Sequence, residues 1–272
     1  METRFGSQSF TFLYDGSWEG FLTVIFESTR LLLVPARIEY SETYIPEIFD
    51  EVHEVSTLSE NAERVWKGLC SKAGFDIASM CRGAFLSELP NIEMDLWHFQ
   101  RKLFADTTGK YRGNVLDEHV QRIMATARKV QHEAHLLTGF VRFQTTAQGV
   151  HFATIEPEFR VLELLGPHFS ARFPNLQWLI VDVRREQGLW HQNGEMQVVE
   201  ISRRGLPMVE NALHPSLVGG GQGEYHDLWR DYYDAINIPE RRNPKLMARL
   251  MPRKYWKYLP ERQVRGSESL SV

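Results

Sequence analysis

Three residues in the middle of the chain are of types that move protons and hold phosphates: His135, Arg142 and Asp182. An imidazole transfers protons near neutral pH, a guanidinium binds a phosphate or an oxyanion, and a carboxylate orients the imidazole or acts as a base. Their convergence as a catalytic set requires a helix that hands over directly to a strand, and then pairing between strands. The competing expectation is an Arg142–Asp182 ion pair within a sheet, because buried charges require partners. Arg128, His132 and His135 also share one helix face at i, i+4 and i+7, which is either a functional face or a solvated one.

A second constellation lies near the C-terminal end. Between Asn237 and Arg265 there are nine bases against two acids. Arg241, Arg242, Asn243, Lys245, Arg253, Lys254 and Lys257 there accompany Tyr255 and Trp256. Nucleobases stack on such rings for roughly 1–3 kcal/mol each, while Lys and Arg displace counterions from the phosphates. This segment is therefore a candidate single-stranded nucleic-acid surface. The alternative is a clasp whose rings are packed inside and whose bases are neutralised by acids such as those of 39–63, where eight acids occur without a Lys or Arg.

Other chemistries lack their residues. Glu133-x-His135 and His132 do not have the spacing of a helical zinc site, so no metal is expected. Gly219-Gly220-Gly221 lacks the Lys-Ser/Thr of a phosphate loop, so no nucleotide cofactor is expected either. No Gly-x-Ser-x-Gly elbow occurs.

The elements that must position these residues follow from periodicity. Leu116, Val120, Ile123, Ala127, Val130, Ala134 and Leu137 form one helical stripe, with Asn114 placed to cap it and Gly139 to end it. A strand over Phe140–Thr145 and another over Val150–Ile155 follow. Earlier, Phe10–Tyr14 reads as a strand, Ser17 as a helix cap, Val52–Val55 as a strand, and Thr57 with Glu60 as a capping box. Helical patterns run about Phe75–Leu86 and Asn91–Phe104, and Gly166-Pro167 interrupts a later one. Trp178–Val183 is a strand, and Asn193-Gly194 turns a hairpin between Leu189–Gln192 and Met196–Ile201. The Gly-rich stretch 205–224 reads as a mobile connection, and a further helix is expected over Glu224–Ala235.

Strands joined by tight turns and flanked by helices indicate an α+β fold, with a mostly antiparallel sheet covered by helices. A chain of 272 residues with 43% hydrophobic content is expected to form a single domain over 1–261, with a disordered tail at 262–272. Its helix-rich part spans 57–138, its sheet-rich part 139–201 and its basic aromatic segment 237–261. No apolar run approaches the roughly 20 residues of a membrane helix. With a polar start, the chain is expected to be cytoplasmic, with Cys70 and Cys81 as reduced thiols.

Several segments resemble an uncharacterised bacterial family assigned to DNA metabolism or repair. They are Tyr14-Asp15-Gly16-Ser17 with Gly20-Phe21-Leu22, His135 with Gly139 to Phe143, His168-Phe169 with Arg172-Phe173, and Trp178 to Asp182. The C-terminal runs Ile238 to Pro244 and Met251 to Glu261 are the most distinctive part of the likeness. The resemblance implies an association with a radical S-adenosylmethionine (SAM) protein, and a similar domain fused to a uracil-DNA glycosylase-like domain. It implies no catalytic residue.

Three functions follow as expectations. The chain is a DNA-binding accessory to a radical SAM or glycosylase-type enzyme; or it is itself an enzyme acting on damaged DNA through His135, Arg142 and Asp182; or it is a docking adaptor using the acidic block 39–63.

Overall fold

The computed structural model describes residues 10–46, 50–112, 114–201, 208–209, 212–213 and 251–259. The chain divides into two compact units, 1–131 and 132–272.

The first unit opens with strand β1 (Phe10–Tyr14), helix α1 (Trp18–Arg30), β2 (Pro35–Tyr40) and β3 (Glu51–Glu54). Helices α2 (Ser59–Ala73), α3 (Phe75–Phe85) and α4 (Ile92–Ala105) follow, and α5 (Glu118–Phe140) contains the boundary between the units. The three strands form a parallel sheet in the order β2-β1-β3. β1 is central because it is apolar on both faces: Phe12, Leu13 and Tyr14 are all buried. Ser17 caps α1 as its sequence predicts, its hydroxyl accepting from the Gly20 amide at 2.8 Å. Thr57 does not cap α2. Its hydroxyl instead donates to Asp15 at 2.8 Å, and Leu58 occupies the cap position.

The second unit carries β4 (Gln144–Thr145), β5 (His151–Ile155), α6 (Leu162–Arg172), β6 (Trp178–Asp182), β7 (Gln187–Gln192) and β8 (Glu195–Glu200). They form a five-stranded sheet in that order, with β5 and β6 parallel and the other three pairings antiparallel. The fold is therefore α+β as expected, but the sheets correct the mostly antiparallel reading. One is wholly parallel and the other mixed, because α1 and α6 serve as crossovers, and a crossover returns the chain in the same direction. The hairpin is as read, with Asn193 at φ 53° and Gly194 at φ 82°. A short antiparallel pair, β9 (Met208–Val209) and β10 (Ala212–Leu213), and a terminal 3-10 helix (Arg253–Tyr258) complete the described elements.

Three local expectations fail. Gly139 does not stop α5, which continues to Phe140, and the strand read over Phe140–Thr145 shrinks to Gln144–Thr145. Pro167 lies inside α6, which is unbroken. β2 has no counterpart among the expected strands, yet it pairs along the whole of β1. The Gly-rich stretch 205–224, apart from its two short strands, the helix read over Glu224–Ala235 and the tail 262–272 all lie outside the described residues. Among the described residues no helix is long and apolar enough to cross a membrane. Both cysteines are free thiols, and burial pushes that of Cys81 up to about 12.

Candidate proton-transfer site

His135 stands exposed on α5, as do Arg128 and His132 of the same face. Its imidazole makes no hydrogen bond among the described residues, and its carbonyl accepts from the Thr138 hydroxyl. Arg142 bonds the carbonyls of Gly139 and Val141 at 2.7 and 3.3 Å. Asp182 is buried at the end of β6 and accepts from the Arg184 and Arg185 amides and from the Arg185 guanidinium at 3.0 Å. The carboxylate read as a partner of Arg142 is thus held by Arg185. The turn after β6 supplies both backbone donors and a cation three residues away, so the ion pair forms locally.

The C-terminal candidates divide. Arg241, Arg242, Asn243 and Lys245 lie outside the described residues. Tyr255 is buried, and its hydroxyl donates to Glu133. Lys254 bonds Glu133 at 2.8 Å and Glu158 at 3.3 Å. Lys257 and Tyr258 both bond Glu156. Arg253 is exposed, with its guanidinium 5.7 Å from the Trp256 ring, and the Trp256 indole donates to the Met251 carbonyl. The described part of this segment is a clasp, in which both lysines are matched by carboxylates. Those carboxylates come from Glu133, Glu156 and Glu158 and not from 39–63.

An imidazole, a carboxylate and a guanidinium do meet, in the first unit and with different residues. Asp95 of α4 faces His119 and Arg122 in the first turns of α5. His119 Nδ1 lies 2.8 Å from Asp95 Oδ1. Arg122 grips the same carboxylate with a fork, Nε to Oδ2 at 2.9 Å and Nη2 to Oδ1 at 2.7 Å, and reaches Glu118 at 3.2 Å. Arg122 Nη2 also lies 2.9 Å from His119 Nδ1, so this nitrogen is enclosed by a carboxylate and a guanidinium, and Nε2 is the one left for proton exchange. Nε2 makes no hydrogen bond among the described residues.

His98, one turn beyond Asp95, stacks its ring on His119 with centroids 4.4 Å apart and 21° between planes. Burial lowers the His98 pKa, and positive charge at His119, Lys102 and Arg101 lowers it further. Burial alone would raise Asp95, but hydrogen bonds from Arg122 and His119 outweigh it and hold the carboxyl below its ordinary value. Beside them, Asp117 caps α5 by accepting from the His119 amide at 2.9 Å. It also takes bonds from Lys102 at 2.5 Å and Tyr111 at 2.9 Å. Burial opposes the charged form, yet these donors bring Asp117 to about 2.

The His119 ring is thereby held by Asp95 and Arg122, and its backbone by the cap of its own helix. Such an arrangement readies an imidazole to accept a proton at one nitrogen while the other is held. Sequence reasoning passed over these residues because it followed the apolar stripes. The polar pattern that marks them is Asp95, His98 and Lys102 on one helix, matched by Glu118, His119 and Arg122 on the next.

A domain of unknown function, DUF4130, matches residues 90–261, more than half of the chain. The chain belongs to the DUF4130 family. Asp95, His98, His119 and Arg122 all fall within the matched DUF4130 residues, as does the whole clasp from Glu133 to Tyr258. No curated protein and no solved structure matches the chain.

Proposed function

We propose that this chain is a DNA-metabolism or repair protein that works beside a radical SAM or uracil-DNA glycosylase-like enzyme. Its own contribution to the chemistry is proton transfer at His119. The reading rests on the likeness of its sequence motifs to a DNA-metabolism family, and on one geometric observation: Asp95 holds His119 through Nδ1 and leaves Nε2 open. The DNA role no longer draws on Lys254 and Lys257, whose charges are matched within the chain.

The test uses labelled single-stranded, duplex and lesion-bearing DNA, with and without the partner enzyme, and compares the wild-type chain with His119→Ala and Asp95→Asn. Loss of product in both variants with DNA affinity retained supports proton transfer at His119. Full turnover in both variants assigns the chemistry elsewhere. A DNA affinity indistinguishable from that of an unrelated protein of equal charge overturns the DNA reading itself.

A further inference from the structure

The parallel sheet of the first unit borders a cavity. Alongside the edge strand β2, from Arg37 to its last residue Tyr40, lies a polar space of about 400 Å3. The cavity walls include Arg37, Glu39 and Tyr40 from β2, and Glu88, Asn91 and Glu93 from the turn before α4 and its first residues. Glu88 and Asn91 both have positive φ, 52° and 66°, so the turn is held in a conformation that side-chain-bearing residues avoid.

Glu93 decides the chemistry. It is 7% exposed, yet its partners are neutral: the Tyr14 hydroxyl donates to it at 3.2 Å, and Tyr40 is its second hydrogen-bonding partner. No cationic side chain bonds it among the described residues. Arg37, the guanidinium on the same wall, is taken by Asp50 at 2.6 Å. Glu39 and Glu88 add further negative charge to the lining. A buried carboxyl without a counter-ion beside a space of this size is a site whose missing component is positive. Among the described residues no group of three or more His, Cys, Asp or Glu converges to hold a metal ion.

We propose that this cavity binds an organic cation, an ammonium or guanidinium group on a short aliphatic stem, with Glu93 as the counter-ion and the Tyr40 ring beside it. Tyrosine faces suit such a group because the ring quadrupole attracts cations. Burial, reinforced by Glu39, raises the Glu93 pKa, and an arriving cation favours the ionised carboxyl, so binding is coupled to loss of its proton. The other charged or titratable groups facing it are Tyr14 of β1, Arg37, Glu39 and Tyr40 of β2, and Glu88 of the turn. Of these, the two tyrosines are shifted upward by burial first and by Glu93 next, so they stay protonated.

Titration calorimetry of the full chain with agmatine and with 1,4-diaminobutane tests this, run in two buffers of different ionisation enthalpy. The expected result is saturable binding with proton release. Glu93→Gln should weaken it about tenfold or more, the loss of one charge-assisted hydrogen bond, and should abolish the proton release. Glu88→Gln, which leaves the buried pair intact, should weaken binding less while retaining proton release. Absence of binding by both cations overturns the proposal. So does affinity unchanged in both variants, or a preference for magnesium ion or inorganic phosphate over the amines.

Discussion

Tyr255 donates a buried hydrogen bond to Glu133, 122 positions earlier in the chain, and so ties the C-terminal segment to the last turns of α5. The same carboxylate accepts from Lys254 and from the amides of Glu158 and Phe159 at 3.0 and 2.8 Å. Four donors thus meet one buried acid. Tyr255→Phe removes one hydrogen bond to a carboxylate and should lower unfolding stability by about 1.5–3 kcal/mol. Glu133→Ala strands the other groups and should cost about 3 kcal/mol or more. Urea unfolding of the full chain reads both, and silence in both variants would mean that the clasp does not hold in solution.

The clasp also sets an expectation for salt. Lys254 and Lys257 are already matched, so they have few counterions to release to DNA. Replacing both with Gln should change the slope of log affinity against log salt by well under one, against about two for two free phosphate contacts. A change near two would show that DNA pulls these lysines from their carboxylates.

Two buried acids give stability opposite dependences on pH. Burial raises Glu133, but Lys254, Tyr255 and the two amides outweigh it, and its folded pKa lies below the ordinary value. Its contribution is present above the unfolded pKa, about 4.3, and is lost as pH falls through the folded one. Glu93 is shifted the other way, by burial first. Its contribution is present below the unfolded pKa and is lost as pH rises through the folded one. Glu133→Gln should flatten the acid limb of the stability curve, and Glu93→Gln should flatten the decline above about pH 4.3. Melting temperatures across that range check each limb, and parallel curves for wild type and variants would contradict the assignment.

Gln100 is fully buried on α4, and among the described residues neither its amide nitrogen nor its oxygen has a hydrogen-bond partner. An unsatisfied buried amide is costly, so Gln100→Met, close in volume, should raise stability by about 1–3 kcal/mol. A loss of stability would mean that the amide is satisfied in solution.

Gly20 lies where Asp15 and Thr57 close around the start of α1. A Cβ there would meet Asp15 Oδ1 at 2.1 Å and Thr57 Oγ1 at 2.8 Å. Gly20→Ala should therefore destabilise the first unit despite the better helix propensity of alanine. Loss of about 1–3 kcal/mol on denaturation is expected, and a gain would show that the Asp15–Thr57 bond yields freely.

The sequence by itself determined the elements whose period is unambiguous. The β1 strand, the Ser17 cap, the α5 stripe and the Asn193-Gly194 hairpin follow from local steric and hydrogen-bonding rules, and they form where those rules place them. Of the stripe only Leu116 is exposed, since the cap is Asp117 rather than Asn114 and the helix begins after it. Composition and motif likewise made the C-terminal segment conspicuous and offered the clasp as one of its two fates.

Only the tertiary structure decided which charges meet. Strand direction depends on where a crossover packs, and β2 shows that a proline-bounded polar segment becomes a strand once β1 offers it an open edge. A carboxylate pairs with whichever cation the fold brings within 3 Å or so, and sequence spacing does not encode that distance between elements. So Asp182 takes Arg185 from its own turn, Glu133 takes Lys254 from the far end of the chain, and Asp95 takes His119 and Arg122 from the next helix.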